Sequence, residues 1–331
     1  MRRIAVDAMG GDKAPASIVQ GAVDAVQESK GKFEIVLVGE KNYIEGELKK
    51  YNNTSANISV FHAPETISMS EFPTEALKKK VNSSIQVLTR LMKDGEVDGV
   101  ISAGNTGAFT ASCLLTVGKI EGVKRPTIGT FTPCEKGIGF LLDVGANPEC
   151  RPVHLLQFAI MGSIFVEYML KRKSPRIGIL NIGEESSKGN ELYIETYKLL
   201  KESPLNFIGN IEGRDILKGT ADVVVCDGFV GNIIIKYTES FFEIFRGKLK
   251  DNIGNSILSK LGLFLLSPAL GKMMKEFDYQ EYGGAPLLGI NGTAIICHGD
   301  SSPKAIMNAI QRADLMIERK VNEHIRMRIR S

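Results

Sequence analysis

With 331 residues, 43% hydrophobic and 24% charged, the chain has the composition of a globular protein able to bury a large core. Its formal net charge of +3 is too small to imply a nucleic-acid partner. Five cysteines, Cys113, Cys134, Cys150, Cys226 and Cys297, lie far apart without a CxxC pair, which suits a reducing cytoplasm and argues against a disulfide framework or a zinc site. No run of about 20 apolar residues is present, so no membrane span is expected, and MRRIAVDAMGGD leads straight into a strand without a signal segment.

In chain order, Arg3 to Val6 reads as a strand ending in Asp7-Ala8-Met9-Gly10-Gly11-Asp12. Pro15 suits the first turn of a helix over 15–29, with Ile18, Val19, Ala22, Val23 and Val26 on one face. Strands follow at Phe33–Val38 and Ile58–His62, with a helix at Ile44–Tyr51 between them and an irregular stretch from Ala63 to Pro73. One helix is expected over 74–94, with Lys78, Lys79 and Lys80 on a solvated face. Gly99–Ser102 ends in Ala103-Gly104-Asn105-Thr106-Gly107-Ala108 and opens a helix to about Val117; such small side chains let a ligand approach the backbone closely.

Strands at Pro126–Thr132 and Gly139–Leu142 precede Asp143-Val144-Gly145-Ala146-Asn147-Pro148 and a long helix over 152–171. Ile177–Asn181 ends in Ile182-Gly183-Glu184-Glu185, with Lys188-Gly189-Asn190 before a helix to Lys201. Asn206–Gly209 leads to Asn210-Ile211-Glu212-Gly213-Arg214-Asp215. Val223, Val224 and Val225 are the β-branched run of a strand buried on both faces, closed by Cys226-Asp227-Gly228 and followed by Gly231, Asn232 and a helix-compatible run. Such a turn is either an ordinary capped helix start or a place where backbone N–H groups hold an anion.

Tyr282–Gly289, with Gly283 and Gly284, reads as a small-residue loop. Thr293–Cys297 is a strand ending at His298-Gly299-Asp300-Ser301-Ser302, and a final helix runs over 303–326 before a solvated basic tail. Strands alternating with helices along the whole length predict an α/β fold, a largely parallel sheet covered by helices on both faces. In such sheets ligands sit beyond the carboxyl ends of strands, where Asp7, Asn105, Asp143, Gly183, Glu212 and Asp227 all fall, so one shared crevice is expected.

Residues 239–277 break the rhythm. Phe241, Phe242, Phe245 and Leu249 mark a helical face, and Leu261, Leu263, Phe264, Leu265 and Leu266 form an apolar patch before Pro268. Met273, Met274 and Phe277 continue it, flanked by Lys248, Lys250, Lys260, Lys272 and Lys275. This is a helical hairpin excursion that packs in the core, packs against a second subunit, or lies in a membrane surface through 257–270.

GxxxxGK[ST], GxGxxG and GxSxG are all missing, and the four histidines lack metal-ligand spacing, which disfavours an ATP-type P-loop, a nicotinamide enzyme, a serine hydrolase and a metal centre. By contrast DAMGGD (7–12), SAGNTGA (102–108), LLDVGAN (141–147), NIGEE with KGN (181–190), DVVVCDGFVGN (222–232), YGGAPLLG (282–289) and HGDS (298–301) resemble, in order, the PlsX family of bacterial phosphate acyltransferases. The resemblance runs from the first residues to the last helix.

That resemblance implies one isocitrate-dehydrogenase/phosphotransacetylase-like domain over 1–331, and a homodimer working in the cytoplasm at the inner face of the cell membrane. It implies synthesis of acyl-phosphate from long-chain acyl-acyl carrier protein and inorganic phosphate without a cofactor or metal, feeding a membrane glycerol-3-phosphate acyltransferase in phospholipid synthesis. On this view Ser102–Ala108 and Asp227–Asn232 bind phosphate and the reacting carbonyl through backbone N–H groups, with Asn105, Thr106 and Asn232 as side-chain donors. Lys188 or Arg214 balances phosphate charge, Asp143 or Asp227 orients donors or relays a proton, and His298 is a candidate acid. Asp7, Gly10, Gly11, Ser102, Gly104, Gly107, Asn147, Gly183, Glu212, Gly228, Gly231, Gly283 and Gly284 complete the expected substrate-binding set. Cys226 offers a covalent acyl-enzyme alternative to direct attack. The acidic carrier protein is expected on lysines within 248–275, or else on Lys78–Lys80. A short-chain phosphotransacetylase using acyl-CoA, a related decarboxylating dehydrogenase and a non-catalytic scaffold for lipid enzymes at the membrane are the alternatives.

Overall fold

The structure, a computed structural model, describes residues 1–51, 57–253, 262, 265–269, 271 and 279–330. Apolar runs, buried in all but the edge strand β3, form β1 (Arg2–Asp7), β2 (Phe33–Gly39), β3 (Ile58–His62), β4 (Gly99–Ser102), β5 (Thr127–Cys134) and β6 (Gly137–Leu142). They continue as β7 (Ile177–Leu180), β8 (Phe207–Ile211), β9 (Val223–Val225), β10 (Ala285–Leu288) and β11 (Thr293–Ile296). All join one 11-stranded sheet in the order β3-β2-β1-β4-β11-β10-β5-β6-β9-β7-β8.

The sheet is parallel in two blocks, β3 to β11 on one side and β6 to β8 on the other. Between them the pairs β11–β10, β10–β5 and β5–β6 are antiparallel. Three reversals make the second block run opposite to the first. The carboxyl ends of the blocks therefore lie at opposite edges, which corrects the expectation of one crevice beyond all the strands. Gly283–Gly289, expected as a loop, contains β10, the strand that makes two of these reversals.

The helices cover both faces: α1 (Ala16–Ser29), α2 (Lys41–Leu48), α3 (Pro73–Lys79), α4 (Ser84–Lys93), α5 (Thr106–Ser112), α6 (Pro152–Met169), α7 (Glu191–Glu202), α8 (Gly213–Lys218) and α9 (Gly228–Ile253), then Pro303–Glu318 and Val321–Arg330. The helix expected over 74–94 is broken because Glu65 intervenes: its carbonyl accepts from the Ser84 N–H and its carboxylate from the Asn82 N–H. The expected final helix breaks at Arg319–Lys320, where Lys320 has φ 53. There Arg319 donates to the Tyr168 and Met169 carbonyls at the end of α6. The tail is not loose: Arg328 pairs with Glu167 and Arg330 with Glu121.

By length and composition alone, α6 is the one described helix that could cross a membrane. Leu155, Phe158 and Phe165 on it are fully buried against the sheet, with Phe165 stacked on Phe140 at 4.3 Å, so it serves as a core helix. Of the 239–277 excursion, α9 extends to Ile253, while Leu261, Leu263, Phe264, Lys260, Lys272, Met273, Met274, Lys275 and Phe277 lie outside the described residues.

Candidate active site

The site begins where two central strands part. β5 and β10 pair only at Ile128–Leu287 and Thr127–Leu288, after which β5 stays with β6 and β10 with β11. The gap opens a cleft of about 480 Å³. Its floor is Ile128, Thr130 and Phe131 on one side and Ala285, Ile296 and Cys297 on the other. One end carries Asp12, Met69, Thr106, His298 and Gly299; α9 brings Asn232, Ile235, Lys236 and Glu239, which helical spacing puts on one face. Val144 and Gly145 close the wall beside Asn232. The cleft thus joins loops from both parallel blocks although their strand ends face apart.

Of the expected residues, Thr106, Asn232, Gly284 and His298 line the cleft, while Asp7, Asp143 and Asp227 are buried in the loops around it. Asp7 is fully buried, accepting from Ser102 Oγ at 2.7 Å and from the Met9 N–H at 3.2 Å, while Ser102 Oγ accepts from the Gly104 N–H at 3.0 Å. Burial pushes the Asp7 carboxyl up from the usual range. A Cβ on Gly10 would come within 2.7 Å of the Gly104 nitrogen, so the first two loops interlock only through glycine. Gly11, at φ 101, lets the Asp12 N–H donate to the Gly299 carbonyl at 2.7 Å, tying in the loop after β11.

Asn105 caps α5, its Oδ1 accepting from the Ala108 N–H, while its Nδ2 donates to the carbonyls of Ser68, Met69 and Glu71. It fastens the irregular stretch before α3 to the cleft. Asn105→Asp would keep the cap and turn an oxygen toward those three carbonyls. We expect a loss of about 2 kcal/mol and faster amide exchange over 66–72, measured by hydrogen–deuterium exchange; unchanged exchange would contradict this role.

Asp143 is likewise a keystone. Its Oδ1 accepts from the N–H groups of Ile128, Gly145 and Ala146, and its Oδ2 from the Asn147 N–H at 2.7 Å and side-chain amide at 2.8 Å. Asn147 also donates to the Pro126 carbonyl at 2.7 Å. Burial pushes the Asp143 carboxyl up and these donors pull it back. The Cys226 thiol is fully buried and donates to the Asp143 carbonyl; burial pushes its pKa well above the ordinary thiol value, an environment that suppresses the thiolate needed for attack.

Asp227 starts α9. Its Oδ1 accepts from the Phe229 and Val230 N–H groups, both at 3.0 Å, and its Oδ2 from the Tyr193 hydroxyl at 2.7 Å. Gly228 lies against the Asn147 backbone, where a Cβ would come within 2.8 Å of the nitrogen, and a Cβ on Gly231 would run into the Asp143 carbonyl oxygen. These two glycines let α9 seat on the Asp143 loop and aim Asn232 and Lys236 at the cleft.

The remaining expected residues are not gathered there. Gly183, Lys188, Glu212 and Arg214 lie beyond β7 and β8: Asn181 donates to the Lys188 carbonyl, and Arg214 pairs with Glu212 at 2.8 Å. Gly107 packs on Pro73, and Gly283, at φ 68, on the Asn308 backbone. Among the described residues no group of three or more His, Cys, Asp or Glu side chains could hold a metal ion.

Comparison with known proteins adds to this geometry. The family described as fatty acid synthesis protein matches residues 2–324. The phosphate acyltransferase of Heliobacterium modesticaldum is 49% identical over 328 residues, covering 98% of this chain and 97% of the relative. That of Thermodesulfovibrio yellowstonii is 50% identical over 325 residues, covering 98% and 93%. The chain belongs to this family. It is a phosphate acyltransferase, an enzyme of acyl transfer with phosphate. In fold it is similar to a phosphotransacetylase from Streptococcus pyogenes, with TM-score 0.65, 16% identity and coverage of 97% and 94%. A branched-chain phosphotransacylase from Enterococcus faecalis has TM-score 0.59, 13% identity and coverage of 96% and 99%.

For this acyltransferase the cleft supplies two kinds of surface. Thr106, Asn232, Lys236 and His298 are polar, while Ile128, Phe131, Val144, Ile235 and Tyr282 are apolar. Two contributors escaped the sequence reading. Lys236 follows Asn232 by one helical turn, and that spacing was the available signal. Tyr193 comes from α7, far from Asp227 in sequence, and no local pattern announces it.

Proposed function

We propose that the chain makes acyl-phosphate from a long-chain acyl-acyl carrier protein and inorganic phosphate by direct attack in the cleft over β5. A phosphate oxygen forms a bond to the thioester carbonyl carbon, an oxyanion develops, and the C–S bond breaks to release the carrier thiol and acyl-phosphate. Thiolate leaves readily, with an ordinary thiol pKa near about 8.5, and the phosphate dianion is already nucleophilic. Positioning and oxyanion stabilisation therefore carry the rate. Lys236 is assigned to phosphate charge, Thr106 and Asn232 to donation, and His298 to protonation of the departing sulfur. Asp143 and Asp227 hold the loops rather than react.

The observation that carries this reading is the cleft itself, where a lysine and polar donors face apolar side chains able to receive an acyl chain. Purified protein mixed with palmitoyl-acyl carrier protein and phosphate should give a phosphate-dependent hydroxamate on hydroxylamine trapping. No hydroxamate from this donor, with turnover of acyl-CoA instead, would overturn the donor assignment.

A homodimer built on α9 belongs to the same proposal. Its inner face, Val230, Ile234 and Ile235, packs on the sheet, while Phe229, Ile233, Tyr237, Phe241 and Phe245 form an exposed outer row. Tyr237 is 73% exposed, and such a stripe fits burial against a second copy. Leu265 and Leu266, 70% and 59% exposed, support contact of 257–270 with the inner face of the cell membrane, where a glycerol-3-phosphate acyltransferase would take the product for phospholipid synthesis. Leu265→Glu with Leu266→Glu should abolish flotation with anionic liposomes and leave the thermal midpoint unchanged; undiminished flotation would remove the membrane role.

A further inference from the structure

The segment that feeds β5 carries cations that no acid among the described residues pairs with. Lys119, Lys124 and Arg125 are exposed on it, and Arg151 is exposed at the start of α6. Among the described residues none of these cations is in an ion pair; of the candidate docking lysines Lys78–Lys80, Lys79 and Lys80 are paired with Glu75 and Glu71, while Lys78 is exposed outside any ion pair among the described residues. The acid on the segment, Glu121, is taken by Arg330. Glu149 is the other nearby acid in sequence, two residues before Arg151.

The cations are held together by scaffold bonds. Gln157 of α6 accepts from the Lys124 N–H at 2.8 Å and donates to the Gly122 carbonyl at 2.9 Å. Lys119 Nζ donates to the Lys124 carbonyl, and the Arg151 N–H donates to His154 Nδ1. His154 reports the crowding: burial, then Arg125, Arg151 and Lys119, push its pKa down. Two exposed apolar side chains flank these cations in sequence, Leu115 at 78% exposure four residues before Lys119 and Val153 at 37% two after Arg151.

The patch also abuts the site. Arg125 precedes Pro126, whose carbonyl is held by Asn147, and Ile128, held by Asp143, is already cleft floor. Three residues of extended chain, roughly 10 Å, separate Arg125 from Ile128.

We infer that Lys119, Lys124, Arg125 and Arg151, around Leu115 and Val153, form the surface on which an acidic protein docks to present its acyl thioester to the cleft. This rests on the carrier-protein reading above and deepens it. An acidic helical surface complements an unpaired cationic rim, and a flexible arm spans the distance to the cleft. Such pairing steers encounter and is weakened by salt.

The test uses the full-length protein with Lys124→Glu/Arg151→Glu and, independently, Lys119→Glu/Arg125→Glu. Fluorescein-labelled holo-acyl carrier protein should bind each at least about tenfold more weakly than wild type at low salt, with the difference vanishing near about 0.5 M salt. In turnover the KM for acyl carrier protein should rise about as much, while rates with S-acyl-pantetheine, which lacks the protein, stay within about twofold. Unchanged binding in both variants, or no binding to wild type, overturns the docking face. Binding tests the docking and pantetheine turnover tests the reaction, so a failure of either is recognised by itself.

Discussion

Gly231→Ala is expected to destabilise the protein by about 3 kcal/mol and to remove most of its acyl-phosphate formation. The new methyl group would run into the Asp143 carbonyl oxygen. Neither side can yield easily. Asp143 is pinned by five N–H donors, and α9 is pinned by Asp227, Tyr193 and the contact of Gly228 with Asn147. The helix would have to lift away from the loop, carrying Asn232 and Lys236 out of position. Gly247→Ala, later on the same helix and with open space around its Cα, should be neutral or slightly stabilising, since alanine favours helix by about 1 kcal/mol. Chemical denaturation of both variants measures the contrast, and equal stability would show that the α9 seat is not as constrained as described.

Lys236→Ala should lower kcat/KM for phosphate by about a hundredfold, near 2.7 kcal/mol. Of the described side chains lining the cleft it is the one lysine or arginine, set among Asp12, Glu239, Thr106 and Asn232. Removing it leaves the incoming dianion without its counter-charge. Lys236→Arg should recover part of the loss, because charge survives while reach and geometry change. Steady-state kinetics with phosphate as the varied substrate decides it: a KM for phosphate within twofold of wild type would assign the anion to other groups.

Much of the architecture was legible because buried strands of β-branched residues and amphipathic helices write their periods into the chain. Val223–Val225 and Thr293–Ile296 read as strands for that reason, and both lie in the sheet. β10 escaped because Ala285–Leu288 is short and hemmed by Gly283, Gly284 and Gly289, so its local signal was that of a loop. With β10 unseen, the reversal between the two parallel blocks was unseen as well. Polarity of strand pairing is a long-range property that neither composition nor periodicity records. The break after α3 has the same origin: Lys80 to Ser83 contains no proline or glycine, and Glu65 imposes it from outside.

The candidate site was legible as a set of loops and not as a set of roles. Glycine-rich turns after strands pointed to Thr106, Asn232, Gly284 and His298. Sequence could not tell that Asp7, Asn105, Asp143 and Asp227 spend their hydrogen bonds on neighbouring loops, because those partners lie up to 95 residues away. Lys188 and Arg214 looked equally suited to an anion, yet they sit with the outer strands.

The central claim is that the gap between β5 and β10 is where phosphate meets the thioester. Acyl-phosphate formation measured side by side in Thr130→Trp, which fills the cleft floor, and in Lys188→Ala/Arg214→Ala tests it most directly. The account predicts near-complete loss in the first, with folding retained by circular dichroism, and activity within about threefold of wild type in the second. Full activity with the cleft filled, or its abolition by the outer pair alone, would contradict it.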